Sequence, residues 1–142
     1  MDIKLLHPNA QKPTYGTEGA AGMDLHACLE DPVTLKCGER ITIPTGLAIV
    51  LPESTVGLIY MRSGLATKHG LTLTGSVGVV DEDYRGEMFV PIINHGSEDY
   101  TISCGDRIAQ LVVTPYKRVE FNVVEELPET GRGKGGFGST GR

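Results

Sequence analysis

Cysteine is scarce, histidine is never paired at a metal-binding spacing, and long apolar runs are missing; each shortage excludes a class of protein. Cys28, Cys37 and Cys104 are odd in number and show no C-x-x-C spacing, which excludes a disulfide framework or a zinc knuckle and predicts reduced thiols in or near the core. His7, His26, His69 and His95 form no H-x-x-x-H pair, so no histidine metal centre is indicated. No run approaches the roughly 18 apolar residues of a membrane span, and no basic-then-apolar leader follows Met1. The expectation is a cytoplasmic chain without a membrane partner. Its basic residues form no broad run and the formal net charge is -5, which makes nucleic acid a poor partner and leaves open a small anion held by a few placed cations. Helix-favouring periodicity is nearly absent too.

What remains is glycine and short β-rich runs. With 142 residues, 19 of them glycine, and 39% hydrophobic content, the chain reads as one all-β domain with many turns and a core of its own. Ile3 to Leu6 predicts a first strand ended by Pro8. Met23 to Cys28 alternates as a half-buried strand, with Asp24 and His26 opposite Met23, Leu25 and Ala27. RITIP and LAIVLP, either side of Thr45 and Gly46, read as a pair of strands with a tight connection. Val56 to Tyr60 predicts a strand that opens at Arg62, Ser63 and Gly64 into one or two helical turns stopped by Gly70. A guanidinium, a hydroxyl and free backbone N–H groups at one point suit phosphate oxygens; a plain serine cap is the bland alternative.

Leu71 to Thr74 leads into GSVGVVDEDYRGEM, Gly75 to Met88, which reads as a pocket wall on a hairpin: β-branched residues for strand, glycines for close approach, then Asp81, Glu82 and Asp83. A calcium loop fails here. Counting from Asp81, position five would be Arg85 and position twelve Ile92. Met88 to Asn94 follows as a strand, and Pro91 within it predicts an edge position or a bulge. Tyr100 to Ser103 and Ile108 to Thr114 add strands around a C-G-D-R turn, and Gln110, among apolar neighbours, needs a hydrogen-bond partner. Val119 to Val124 is the last apolar stretch. The tail GRGKGGFGSTGR cannot bury enough surface to order itself, so residues 1–130 are expected to form the domain and residues 131–142 a flexible arm. Its formal G-x-G-x-x-G lacks the strand and helix of a dinucleotide fold, and no Walker loop is present.

Five segments, AAGMDL from Ala20, RSGLATKHG from Arg62, GSVGVVDEDYRGE from Gly75, GDRIAQL from Gly105 and RGKGGFGSTG from Arg132, resemble in order the five motifs of the trimeric dUTP diphosphatase (dUTPase) family. The resemblance spans nearly the whole chain. It implies a distorted jelly-roll-like β barrel or sandwich with one short helix, assembled as a homotrimer with shared active sites. It further implies hydrolysis of dUTP to dUMP and diphosphate with Mg²⁺, which supplies dUMP for thymidylate synthesis and keeps uracil out of DNA. On the same resemblance Asp81 activates the water that attacks the α-phosphorus, and Tyr84 packs on the deoxyribose and rejects a 2′-hydroxyl. Gly75, Val77, Gly78 and Val80 present the backbone that reads uracil. Arg62, Ser63, Gly64 and Gln110 are similar to the family's phosphate ligands, and Asp24 to a residue that meets the metal through water. In the arm, Phe137 stacks on uracil while Arg132, Ser139 and Thr140 cover the γ-phosphate. Gly75, where many members carry asparagine, and Lys134, where a small residue is usual, depart from the pattern; Arg85, Asp106 and Arg107 read as turn or ion-pair residues. The related dCTP deaminases need no arm carrying Phe137, and a non-catalytic nucleotide binder has no use for a water-holding carboxylate.

Overall fold

A computed structural model of the chain describes residues 1–136. Twelve strands and one helix occur among them: β1 (Asp2–Leu5), β2 (Thr14–Tyr15), β3 (Met23–His26), β4 (Val33–Leu35), β5 (Arg40–Pro44), β6 (Leu47–Val50), β7 (Thr55–Met61), α1 (Ser63–His69), β8 (Leu71–Leu73), β9 (Gly78–Val80), β10 (Phe89–Asn94), β11 (Tyr100–Ile102) and β12 (Arg107–Pro115). They build a five-stranded sheet β2-β3-β12-β7-β9, a three-stranded sheet β5-β10-β8, and the pairs β1-β6 and β11-β4. The result is the jelly-roll-like all-β fold. No helix among the described residues is long and apolar enough to cross a membrane.

The core lies between the sheets, where Leu25, Ile43, Leu47, Leu71, Val90, Ile92 and Leu111 are fully buried. Each such side chain contributes on the order of 1.5–3 kcal/mol of transfer free energy. Two polar groups are buried with them and are satisfied there. Asn94 Nδ2 donates to the carbonyls of Leu35 and Glu98 at 3.0 and 2.8 Å, and its Oδ1 accepts from the Gly96 N–H at 2.8 Å, which ties the end of β10 to β4 and to the next turn. Thr45 Oγ1 donates to the Met88 carbonyl at 2.7 Å.

Several expectations change in three dimensions. β3 is buried on both faces rather than one, because β2 and β12 flank it and arginines cover the side that carries Asp24. β5 and β6 follow each other tightly but do not pair: β5 joins β10 and β6 joins β1, so Thr45–Gly46 is a corner between sheets. The stretch from Gly75 to Met88 is not a simple hairpin either. β8 and β10 pair with each other, while β9 leaves their sheet and pairs with β7. Pro91 lies in the middle strand of its sheet, yet β8 has ended at Leu73 where Pro91's absent N–H would point; the Pro91 carbonyl accepts from the Thr74 N–H at 3.0 Å. Of the thiols only Cys28 is buried, and burial pushes its pKa up; Cys37 and Cys104 are exposed. The apolar stretch Val119 to Val124 forms no strand.

Candidate active site

β7 delivers Arg62 to the N-terminus of α1, which ends at Gly70 in the left-handed conformation (φ 69°). Arg62 occupies the cap position with no side-chain cap bond, so Ser63 is the first helical residue and its hydroxyl is not used as a cap. Helix geometry leaves the first N–H groups, those of Ser63 and Gly64 among them, without partners inside the helix. Behind this point sits Asp24, only 4% exposed. Arg62 Nε lies 3.1 Å from Asp24 Oδ1, an ion pair whose N–H is not aimed at the oxygen, whereas Arg107 Nη1 donates to Oδ2 at 3.2 Å. One carboxylate thus holds two guanidinium groups side by side, and Arg62 Nη1 reaches the Arg107 carbonyl at 3.4 Å. Their remaining N–H edges face solvent and suit an anion.

His26, two residues further on the same side of β3, is buried beside these charges with an unpartnered Nδ1. Burial lowers its pKa most, Asp24 draws it up, and Arg107 and Arg62 push it down, so the imidazole is held neutral. Gln110 stands opposite Asp24 and Tyr60 in the ladder and is half-buried rather than enclosed. Sequence placed Arg62, Ser63, Gly64, Gln110 and Asp24 in three separate segments; β12, pairing with both β3 and β7, brings them together. The pairing of Arg107 with Asp24 was not foreseeable, since 83 residues separate them.

A second group forms around β9. Gly78, Val80, Asp81 and Tyr84 line a cavity of about 380 Å³ with Ile59, Phe89 and Pro91 among its other walls, within the range of roughly 300–1,000 Å³ usual for small-molecule sites. Gly75 and Val77 line a small adjoining recess that shares Ile59 and Gly78. β9 is the edge strand of its sheet, so one row of its backbone groups is turned toward this cavity rather than into a ladder. Asp81 is exposed at the end of β9, in a turn closed by the Tyr84 N–H donating to the Asp81 carbonyl at 3.1 Å. Arg85 acts as a turn residue, donating to the carbonyls of Glu82 and Tyr84 at 2.7 and 2.9 Å. Tyr84 lies flat over Gly86, where any Cβ would overlap the ring, and its hydroxyl donates to the Glu87 carbonyl at 2.8 Å. The ring is therefore fixed at the cavity's rim.

The two groups do not meet within one chain. Val80 is opposite Gly57 on β7 and Arg62 lies five residues further along, a separation of about 16 Å at ~3.3 Å per strand residue. Arg132 is exposed, its Nε donating to the Gly135 carbonyl at 3.0 Å, far along the chain from either group. Phe137, Ser139 and Thr140 lie outside the described residues. No cluster of three or more His, Cys, Asp or Glu side chains able to hold a metal occurs among the described residues. That donor set fits Mg²⁺ only as a hydrated ion carried largely by a ligand's own oxygens.

The family model for dUTPase matches residues 8–141. The deoxyuridine 5'-triphosphate nucleotidohydrolase of Syntrophotalea carbinolica is 51% identical over 139 residues, covering 98% of this chain and 95% of that protein. The enzyme of the same name from Escherichia coli O45:K1 is 45% identical over 147 residues, covering 100% and 97%. Among solved structures, the Staphylococcus bacteriophage 80alpha dUTPase with dUpNHpp superposes with a TM-score of 0.90 at 31% identity, covering 99% of this chain and 98% of that one. The dUTPase of phage phi11 of S. aureus, which coordinates a structural Mg(II) ion, gives 0.81 at 28% identity, covering 90% and 98%. An edge strand that presents backbone to a nucleoside-sized cavity and a paired-arginine cradle for an anion are common ground with those proteins, and the chain belongs to the dUTPase family.

Proposed function

We propose that the chain hydrolyses dUTP to dUMP and diphosphate, with Asp81 as the general base. The observation that carries this reading is the exposed carboxylate of Asp81 at the mouth of the cavity bounded by β9 and Tyr84. With a reference pKa of about 3.9 an aspartate is ionised at neutral pH and can orient and deprotonate a water. The water oxygen bonds to the α-phosphorus, its proton passes to Asp81, and the bond to the bridging α–β oxygen breaks as diphosphate leaves. Free backbone groups from Gly75 to Val80 read the uracil edge, and Tyr84, pinned over Gly86, stacks on deoxyribose where a 2′-hydroxyl would not fit.

Arg62, Ser63, Gly64 and Gln110 bind the phosphates, but from a neighbouring copy, since about 16 Å of β7 separates them from Asp81. A homotrimer with shared sites resolves that separation. Apolar surface supports it: Val79 and Leu58 lie on the outer face of the five-stranded sheet beside Val112, and Phe121, Val123 and Leu127 stand almost fully exposed beyond β12. Mg²⁺ on the triphosphate supplies charge neutralisation when bound. Asp24, with an arginine on each oxygen, meets it only through water and chiefly orients Arg62 and Arg107. Residues 131–142 serve as an arm separate from the domain of residues 1–130, with Arg132, Ser139 and Thr140 on the γ-phosphate and Phe137 on the base. The chain works in the cytoplasm, supplying dUMP and keeping uracil out of DNA.

Incubation with dUTP, dCTP and UTP plus Mg²⁺ in H₂¹⁸O tests this directly. The expected result is dUMP from dUTP alone, with the label in dUMP. Label in diphosphate moves the attack off the α-phosphorus, and ammonia from dCTP replaces the reaction altogether. Asp81→Asn retains dUTP binding and loses about 10²–10⁴ in kcat.

A further inference from the structure

No hydrogen bond to the Asp81 carboxylate is found among the described residues, so its aim depends on the turn Asp81–Tyr84. Most bonds of that turn are internal: Tyr84 N–H to the Asp81 carbonyl, and Arg85 to the carbonyls of Glu82 and Tyr84. They shape the turn without attaching it to the sheet. Glu82 does attach it. Its Oε2 accepts from the Ser54 N–H at 2.8 Å and from the Tyr116 hydroxyl at 3.2 Å. Ser54 and Tyr116 are themselves joined, the Tyr116 N–H donating to the Ser54 carbonyl at 3.1 Å, where β7 begins and β12 ends. Ser54 holds a left-handed φ of 57°, which a serine adopts only when its surroundings compensate, and the Glu82 carboxylate on its N–H does so.

We propose that Glu82 is a positioning residue for Asp81: its carboxylate clamps the acidic turn to the paired ends of β7 and β12 and so fixes where the neighbouring carboxylate points. Glu82 is not a second base, because the oxygen that faces the sheet is occupied by two donors. The charge of Glu82 also holds the Tyr116 phenol protonated to higher pH, which keeps that donor in place. The proposal rests on the reading of Asp81 as the base, and its test separates the two.

Glu82→Ala and Glu82→Gln are compared with the unaltered protein, with dUTP and Mg²⁺. An amide oxygen can accept the same two hydrogen bonds, so Gln keeps kcat within about threefold. Ala lowers kcat roughly 10- to 100-fold with KM changed less than about twofold, as expected when a base is misplaced by a fraction of an ångström to one ångström. A Glu82→Ala enzyme with undiminished kcat, or a Gln variant as slow as Ala, overturns the proposal. Native-state hydrogen exchange of the Ser54 and Tyr84 amides reads the clamp without turnover: both lose protection in Glu82→Ala, and retained protection overturns it. An unaltered chain that leaves dUTP intact sinks the assignment of Asp81 while exchange still decides whether Glu82 holds the turn.

Discussion

Asp24 shows how one buried carboxylate can organise charges that it never passes to a ligand. With an arginine on each oxygen, its removal leaves two guanidinium groups crowded and unpaired. Both arginines are partly exposed, so Asp24→Asn is expected to cost about 1–3 kcal/mol, between exposed and buried pairs, in urea denaturation, and to weaken dUTP binding. His26 adds a pH signature. Its folded pKa is depressed below the ordinary 6.5 by burial foremost, so the unfolded chain takes up the proton first as pH falls. Stability from this residue is full above that value and declines below it, and His26→Gln flattens that part of the stability profile. Tyr84→Ala removes the ring over Gly86 and is expected to admit UTP; unchanged discrimination between UTP and dUTP moves the sugar gate elsewhere. The types of these residues were legible in the sequence, because a carboxylate, a guanidinium and a glycine-flanked tyrosine announce their chemistry. Their partners were not. Nothing local to Arg107 says that it pairs with Asp24, and nothing around Asn94 says that it bridges β10 to β4.

At the level of elements, β7, α1 and β12 were readable because their signals are local: β-branched runs, and a glycine in the left-handed conformation at the helix end. Pairing was not readable, since a strand's neighbour is chosen by the core and not by its own residues. β9 is the case that matters. Leaving the sheet of β8 and β10 to join the edge of β7 is what exposes a row of peptide groups to the cavity. The C-terminal segment is the opposite case, an element defined by lacking partners. Gly131 to Gly136 hydrogen-bond within their own turn, as in Gly135 N–H to the Arg132 carbonyl at 3.0 Å. Deleting residues 131–142 is therefore expected to leave the thermal transition within about 2 °C, as for a change that removes little buried area, while collapsing kcat/KM for dUTP. A large drop in the transition would make the segment part of the fold; normal turnover would remove it from the site.

For the whole molecule, the decisive feature is that one chain carries both halves of a site but holds them apart along β7. The sequence could list the halves because each is a contiguous motif. It could not reveal their separation, which exists only once β9 pairs at one end of β7 and α1 begins at the other. Shared sites make a sharp prediction. Asp81→Asn lacks the base but keeps the cradle for the phosphates, and Arg62→Ala has the reverse defect; each alone is expected to be nearly inactive. Unfolded together in equal amounts and refolded, they form mixed trimers in which about a quarter of the sites combine an intact base from one chain with an intact arginine from another. Activity then returns to roughly that fraction of the unaltered enzyme, and sedimentation gives three times the 15.2 kDa chain mass. If each site were built within one chain, every chain in the mixture would retain its own defect and mixing would restore nothing.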